Sequence, residues 1–132
     1  MRNFDVQSTL ISADFEKVFN YIAEPTNLPK WTSAFSSADS KKAVLATPNG
    51  QLEVGLEVKI SKEVGTIDWH MTMPDGSIAS AYSRVTPNGK ESVYSFVLMA
   101  PPGPIEQVEG TLKQQMGLLK EELQNLQKIL GE

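Results

Sequence analysis

The nucleophiles, bases and metal ligands of this chain are few. Cysteine is absent, and His70 is the single histidine. Thiolate nucleophiles, disulfides, CxxC redox centres and cysteine-ligated zinc or iron–sulfur clusters are therefore excluded, as is any metal site or relay built on several imidazoles. No metal or cofactor is expected. A hydrolase needs a nucleophile beside a base, but alternation through Ile67-Asp68-Trp69-His70-Met71 puts His70 on the face opposite Trp69 and Met71. It reads as a solvated histidine on the outer side of a sheet. Asp68, Glu53 and Glu57 fall on outward sets too, whereas a general acid–base pair needs carboxyls held away from water. The remaining chemically capable pair is Tyr82 with Arg84. If Ile78, Ser80, Tyr82 and Arg84 form the inward set, a phenol and a guanidinium enter the interior and could polarise a carbonyl, as a cyclase-type reaction requires. An inward arginine must find an anion or carbonyls. If Ala79, Ala81, Ser83 and Val85 point inward instead, Arg84 is a surface residue near the turn Thr86-Pro87-Asn88-Gly89.

Binding chemistry has more candidates than catalysis. Trp31, Trp69, Met71, Met73, Tyr82, Tyr94, Phe96 and Met116 are large, aromatic or adaptable, and Arg84 could add a polar anchor. Flexible thioethers suit a pocket that must accept an irregular apolar molecule. The same residue types are also ordinary core fillers. A cavity is what would distinguish the two roles.

The bulk properties narrow the partners. The chain has 132 residues, 40% of them hydrophobic and 21% charged, with 16 Asp plus Glu against 12 Lys plus Arg and a net charge of −4. That length suits one domain, which can bury roughly two-thirds of the surface exposed by the unfolded chain and needs no staple. A nucleic-acid partner is not expected, because no basic excess neutralises phosphates. No stretch approaches the roughly 18 apolar residues of a membrane span, and Met1 to Gln7 carry no apolar leader core, so a cytoplasmic location is the expectation.

The elements that must position these residues follow from periodicity. Asn3 to Ser12 alternates as a strand, with Phe4, Val6 and Leu10 between polar residues. Ser12 and Asp14 are good helix caps before Phe15, Val18, Phe19 and Ile22, which share one helical stripe, and Glu24-Pro25 stops that helix. A second short turn covers Thr26 to Trp31. From about residue 40 the period changes to alternation, punctuated by Asn49-Gly50, Val64-Gly65, Pro74-Asp75-Gly76 and Pro87-Asn88-Gly89. Strands are expected near Lys41 to Thr47, Leu52 to Lys62, Thr66 to Met73, Ser77 to Thr86 and Glu91 to Met99, about six with the first. Thr32 to Asp39 resists assignment. After Pro101-Pro102-Gly103-Pro104, apolar residues at Val108, Leu112, Met116, Leu119, Leu123, Leu126 and Leu130 mark a helix from about Glu106 to Leu130. Gly110 and Gly117 on that helix suggest close approach by the sheet or a ligand. The leucine spacing would also suit a coiled-coil seam, which leaves open a ligand-free interaction protein associating through this helix.

The order strand, two short helices, hairpin sheet and long final helix resembles the helix-grip fold of the START/SRPBCC superfamily. Ile11-Ser12-Ala13-Asp14 is similar to the Ile-x-Ala-Pro start of that family. Val18-Phe19, Tyr21-Ile22 and Glu24-Pro25-Thr26-Asn27-Leu28-Pro29-Lys30-Trp31 match its Val-Phe, its Tyr-Ile and its Asp-Pro-x-x-Leu-Pro-x-Trp. Asp14 stands for the usual proline and Glu24 for the usual aspartate. The resemblance covers residues 1–132 as a single domain of α+β class, a curved antiparallel sheet gripped by the last helix. It implies binding of a hydrophobic or amphipathic molecule, lipid- or polyketide-like, and the expected state is a monomer or weak homodimer. A polyketide cyclase-like enzyme using Arg84 and Tyr82 is the alternative it implies.

Overall fold

The computed structural model describes residues 3–47, 50–100 and 105–131, with side chains except at 47 and 105–111. The turn residue Asn49, the breaker Pro101 to Pro104, the side chain of Val108 and the surroundings of Gly110 lie outside what is described. In chain order the elements are β1 (Phe4–Ile11), α1 (Phe15–Ala23), a 3-10 turn (Pro25–Asn27), α2 (Leu28–Trp31), β2 (Phe35–Ala38), β3 (Lys42–Thr47), β4 (Gly50–Ser61), β5 (Thr66–Thr72), β6 (Ile78–Asn88), β7 (Glu91–Met99) and α3 (Ile105–Leu130). This is the α+β helix-grip architecture. The strands form one curled antiparallel sheet in the order β1-β7-β6-β5-β4-β3-β2.

Local chemistry accounts for the element ends. The Asp14 carboxylate accepts from the Lys17 backbone N–H at 2.9 Å and caps α1, which buries Val18, Phe19 and Ile22. Glu24 is extended before Pro25, so the helix stops there. At the β4–β5 turn Gly65 adopts φ +79, and a Cβ would lie 2.2 Å from the Val85 carbonyl oxygen. Only glycine lets the turn pass so close to β6.

The sheet has seven strands where alternation suggests six. The extra one, β2, comes from the Ser- and Ala-rich stretch that resists assignment, and it exists through pairing with β3, with a bulge between Phe35 and Ser37. β1 turns Asp5, Gln7 and Thr9 inward and presents Phe4, Val6 and Leu10 outward. Inward polar residues make sense beside α3: Gln7 Nε2 donates to the Met116 carbonyl at 2.9 Å, and Gln127 Nε2 donates to the Leu10 carbonyl at 3.0 Å. Lys17 Nζ donates to the Leu130 carbonyl at 3.1 Å and holds the end of α3 to α1.

The core lies between the concave sheet face and α3. Leu112, Leu119, Leu123, Leu126 and Leu130 are buried there, joined by Ile11, Phe19, Ile22, Ile67, Val85 and Tyr94. The leucine stripe therefore packs within the domain and is not a free seam for a partner helix. One expectation is corrected: at Gly117 nothing approaches within 4 Å of an added Cβ, and the residue is exposed. It marks no close approach by the sheet.

The two glycines should behave oppositely. Gly117→Ala is expected to raise stability by about 0.5–1 kcal/mol, because it adds helix propensity and meets no neighbour. Gly65→Ala is expected to lower it by at least about 2 kcal/mol through strain at positive φ and the clash with Val85. Denaturant midpoints of both variants check the pair.

Candidate functional site

The hollow between sheet and helix arises from a size mismatch across three strands. Alternation turns Ala79, Ala81, Ser83 and Val85 of β6 inward, while Trp69 and Met71 project from β5 and Phe96 and Leu98 from β7. In register, Trp69 pairs Ala81, which pairs Leu98, and Ile67 pairs Ser83, which pairs Phe96. Each row runs large, small, large, so the floor dips along β6. A cavity of about 170 Å³ occupies the dip. Leu28, Trp31, Thr32, Ala34 and Phe35 wall it on the α2–β2 side, and Gln115, Leu118, Leu119 and Glu122 of α3 cover it.

Trp31, Trp69, Met71 and Phe96, all named from sequence, line this cavity together. Tyr94 is fully buried beneath them, edge-on to Trp31 with centroids 6.4 Å apart and to Phe96 at 6.3 Å. Met73 packs half-buried against the core and Met116 is half-buried on α3, but neither borders the cavity.

Tyr82 and Arg84 are the correction. They occupy the face of β6 opposite Ala81 and Ser83, and Tyr82 is 41% exposed. Arg84 Nε donates to the Val64 carbonyl at 3.0 Å, which ties it to the β4–β5 turn. Burial of a guanidinium in an apolar hollow would need an anion, and the small alternate set fits the interior without one. His70 shares this outer face, with Nδ1 2.8 Å from Ser80 Oγ and its ring 6.0 Å from that of Tyr82.

Thr32, Glu122, Gln115, Phe35 and Leu118 are cavity residues that periodicity alone does not single out. The available signal was the run Ala79, Ala81, Ser83 on one strand face, too small to fill the space opposite a helix. Glu122 is the ionisable side chain among the described lining residues. Its Oε2 accepts from the Thr32 hydroxyl and from the Ser33 backbone N–H at 3.0 Å. Burial raises its pKa above the ordinary carboxylate value, while the Thr32 and Ser33 bonds oppose that rise. The Tyr94 phenol is pushed up by burial as well. Chemically the hollow offers dispersion contacts and one carboxyl at its rim able to exchange a proton. Among the described residues no cluster of three or more His, Asp or Glu could hold a metal ion.

No family model and no curated protein matches the chain. Solved structures do match it over nearly its whole length. A START superfamily protein from Mycobacterium smegmatis is 10% identical with a TM-score of 0.74, covering 98% of this chain and 97% of that one. The protein XoxI from Bacillus cereus is 15% identical with a TM-score of 0.73, covering 98% and 96%. The di-domain ARO/CYC BexL from the BE-7585A biosynthetic pathway is 15% identical with a TM-score of 0.72, covering 97% of this chain and 46% of BexL. At these identities the likeness is one of fold. The resemblance carried by residues 11–31 thus extends, as architecture, across the chain.

Because the folded protein holds the Glu122 proton more tightly than the unfolded chain, stability from this group is present below the ordinary carboxylate pKa. It is lost as pH rises through the raised value. Unfolding free energies measured between about pH 4 and 7 should fall less steeply with pH in Glu122→Gln than in the native protein. An unchanged slope would assign the step to other carboxyls.

Proposed function

We propose that this helix-grip domain binds a small hydrophobic or amphipathic molecule in the hollow between the sheet and α3. One observation carries the reading: the dip along β6 is left open, walled by Trp31, Trp69, Met71 and Phe96, with polar groups gathered at Thr32, Gln115 and Glu122. An apolar cavity with few convergent polar groups is the usual form of a small-molecule site. The fold shared with a START superfamily protein supports the same reading.

The alternatives lose their footing in particular residues. A cyclase-like reaction built on Arg84 and Tyr82 has both groups on the outer sheet face. Association through α3 would need its leucines exposed, and Leu112, Leu119, Leu123, Leu126 and Leu130 are buried. No described helix is long and apolar enough to cross a membrane.

Both tryptophans of the chain border the hollow, so their fluorescence reports its occupancy. Cumene, an apolar single-ring probe, is expected to change the emission saturably. Ala81→Phe, which fills the dip from its floor, should weaken binding at least about tenfold. Native mass spectrometry of protein purified from cells should show a co-purified apolar molecule. No saturable response to cumene, together with no adduct, would remove the binding proposal.

A further inference from the structure

The carboxyl at the rim of the hollow has no counter-charge. Glu122 lines the cavity, and none of the described lining residues is Lys, Arg or His. One turn away on α3 in either direction stand Leu118, Leu119, Asn125 and Leu126, so the helix supplies no cation at i,i+3 or i,i+4 spacing. Across the rim, Lys30 is the basic residue nearest to Thr32 in the chain, and it is exposed and donates to Asn27 Oδ1 at 3.1 Å. Burial raises the Glu122 pKa and the adjacent Glu121 adds to the rise, while the groups that oppose it are neutral donors, Thr32 and the Ser33 and Ala34 backbone. Carboxylates shielded from water are ordinarily paired with a cation.

The two oxygens of this carboxyl are used unequally. Oε2 takes both the Thr32 hydroxyl and the Ser33 N–H, and the Ala34 N–H is engaged by Thr32 Oγ1 at 3.2 Å. Oε1 accepts no bond of comparable geometry among the described residues, and unlike the closed-off Nε1 atoms of Trp31 and Trp69 it keeps accessible surface. Gln115, two turns earlier on the same face of α3, also lines the cavity, and its amide is likewise unengaged among the described residues. These groups select the polar end of a ligand. A carboxylate or phosphate would meet Glu122 as like charge. A neutral hydroxyl would donate one bond and leave the buried charge unbalanced. A protonated amine brings both the hydrogens and the charge that Oε1 lacks. The net charge of −4 favours approach of a cation. Size restricts the apolar part: a cavity of about 150 Å³ holds benzene, and this one is about 170 Å³, room for one ring with a short substituent.

We propose that the ligand is a compact cationic amphiphile, a single-ring-sized apolar body carrying a protonated amine, whose body fills the dip along β6 and whose ammonium group donates to Glu122 Oε1 at the rim. The side-chain carbonyl of Gln115 is available as a second acceptor there. The proposal rests on the binding reading above and specifies its ligand class. Oε2 keeps its bonds to Thr32 and Ser33, so one carboxyl holds the wall to α3 and recognises the ligand at the same time.

Cumene, 1-phenylethylamine, 1-phenylethanol and benzoate have nearly the same size and differ at one end, which is apolar, cationic, neutral and donating, or anionic. In tryptophan fluorescence titrations at neutral pH the amine is expected to bind about tenfold more tightly than cumene or 1-phenylethanol, and benzoate more weakly than cumene. Glu122→Gln keeps the shape and an acceptor oxygen for Thr32 and Ser33, and should abolish the preference for the amine while cumene binding persists. In native protein carrying ¹³C-labelled glutamate, saturating amine should move the Glu122 carboxyl titration to lower pH and cumene should not, a readout that needs no variant to fold. Equal affinities for amine and cumene, with the Glu122 titration unmoved, would overturn the cationic class and leave the apolar cavity standing. Binding of 1-phenylethanol or benzoate as tight as that of the amine would overturn the cationic class as well. A preference for the amine that survives in Glu122→Gln would overturn Glu122 as its partner. Failure of all four probes to bind would remove the binding reading itself.

Discussion

The domain depends on the leucine face of α3 finding the concave face of the sheet. Leu119, Leu123, Leu126 and Leu130 are buried against Ile11, Phe19, Ile22, Tyr94 and their neighbours. Each fully buried leucine contributes roughly 1.5–3 kcal/mol relative to leaving it exposed. Polar contacts set where the helix lies along the sheet. Gln7 and Gln127 tie it to β1, and Lys17 holds its last carbonyl. Of the inward polar residues of β1, Gln7 donates to a helix carbonyl, and the outward Phe4, Val6 and Leu10 follow from the strict alternation of a strand.

Given that clamp, the cavity is a consequence of side-chain volume. A helix lying across a sheet cannot follow a local dip, so small residues on the middle strand leave space that large ones would fill. β6 supplies Ala79, Ala81 and Ser83 between the large residues of β5 and β7. The α2–β2 connection closes the side of the space. There Thr32 and Ser33 donate to Glu122, so the covering helix and the wall are hydrogen-bonded at the rim. The carboxyl that joins them also carries a charge that burial disfavours, which makes this joint sensitive to pH.

Much of this was legible in the residues. The Asp14 cap, the stop at Glu24-Pro25, the inward faces of β4 and β5 and the stripe of α3 follow from short-range rules that the sequence states directly. The motif from Ile11 to Trp31 carried the fold resemblance. Of the proposed pocket residues, Trp31, Trp69, Met71 and Phe96 meet at the cavity because strand alternation and the α2 turn already pointed them to one side. β6 was different: both of its faces contain apolar and polar residues, so alternation alone offered no sign, and Arg84 and Tyr82 were as plausible inside as out. β2 was illegible for a related reason, since four residues of weak strand preference acquire their state from β3.

The sequence by itself determined the order of elements apart from β2, the absence of thiol and multi-histidine chemistry, and the amphipathic surfaces that must be buried. These depend on residue type and on spacing of a few residues along one chain segment. Which face of β6 turns inward, where Glu122 finds Thr32, and whether the aromatics enclose a space were decided by tertiary structure. Each depends on volumes and hydrogen-bond partners contributed by segments far apart in the chain, with Glu122 and Thr32 separated by 90 positions. The physical reason is that a cavity is a difference between the surfaces of two elements, and no single stretch of sequence contains both.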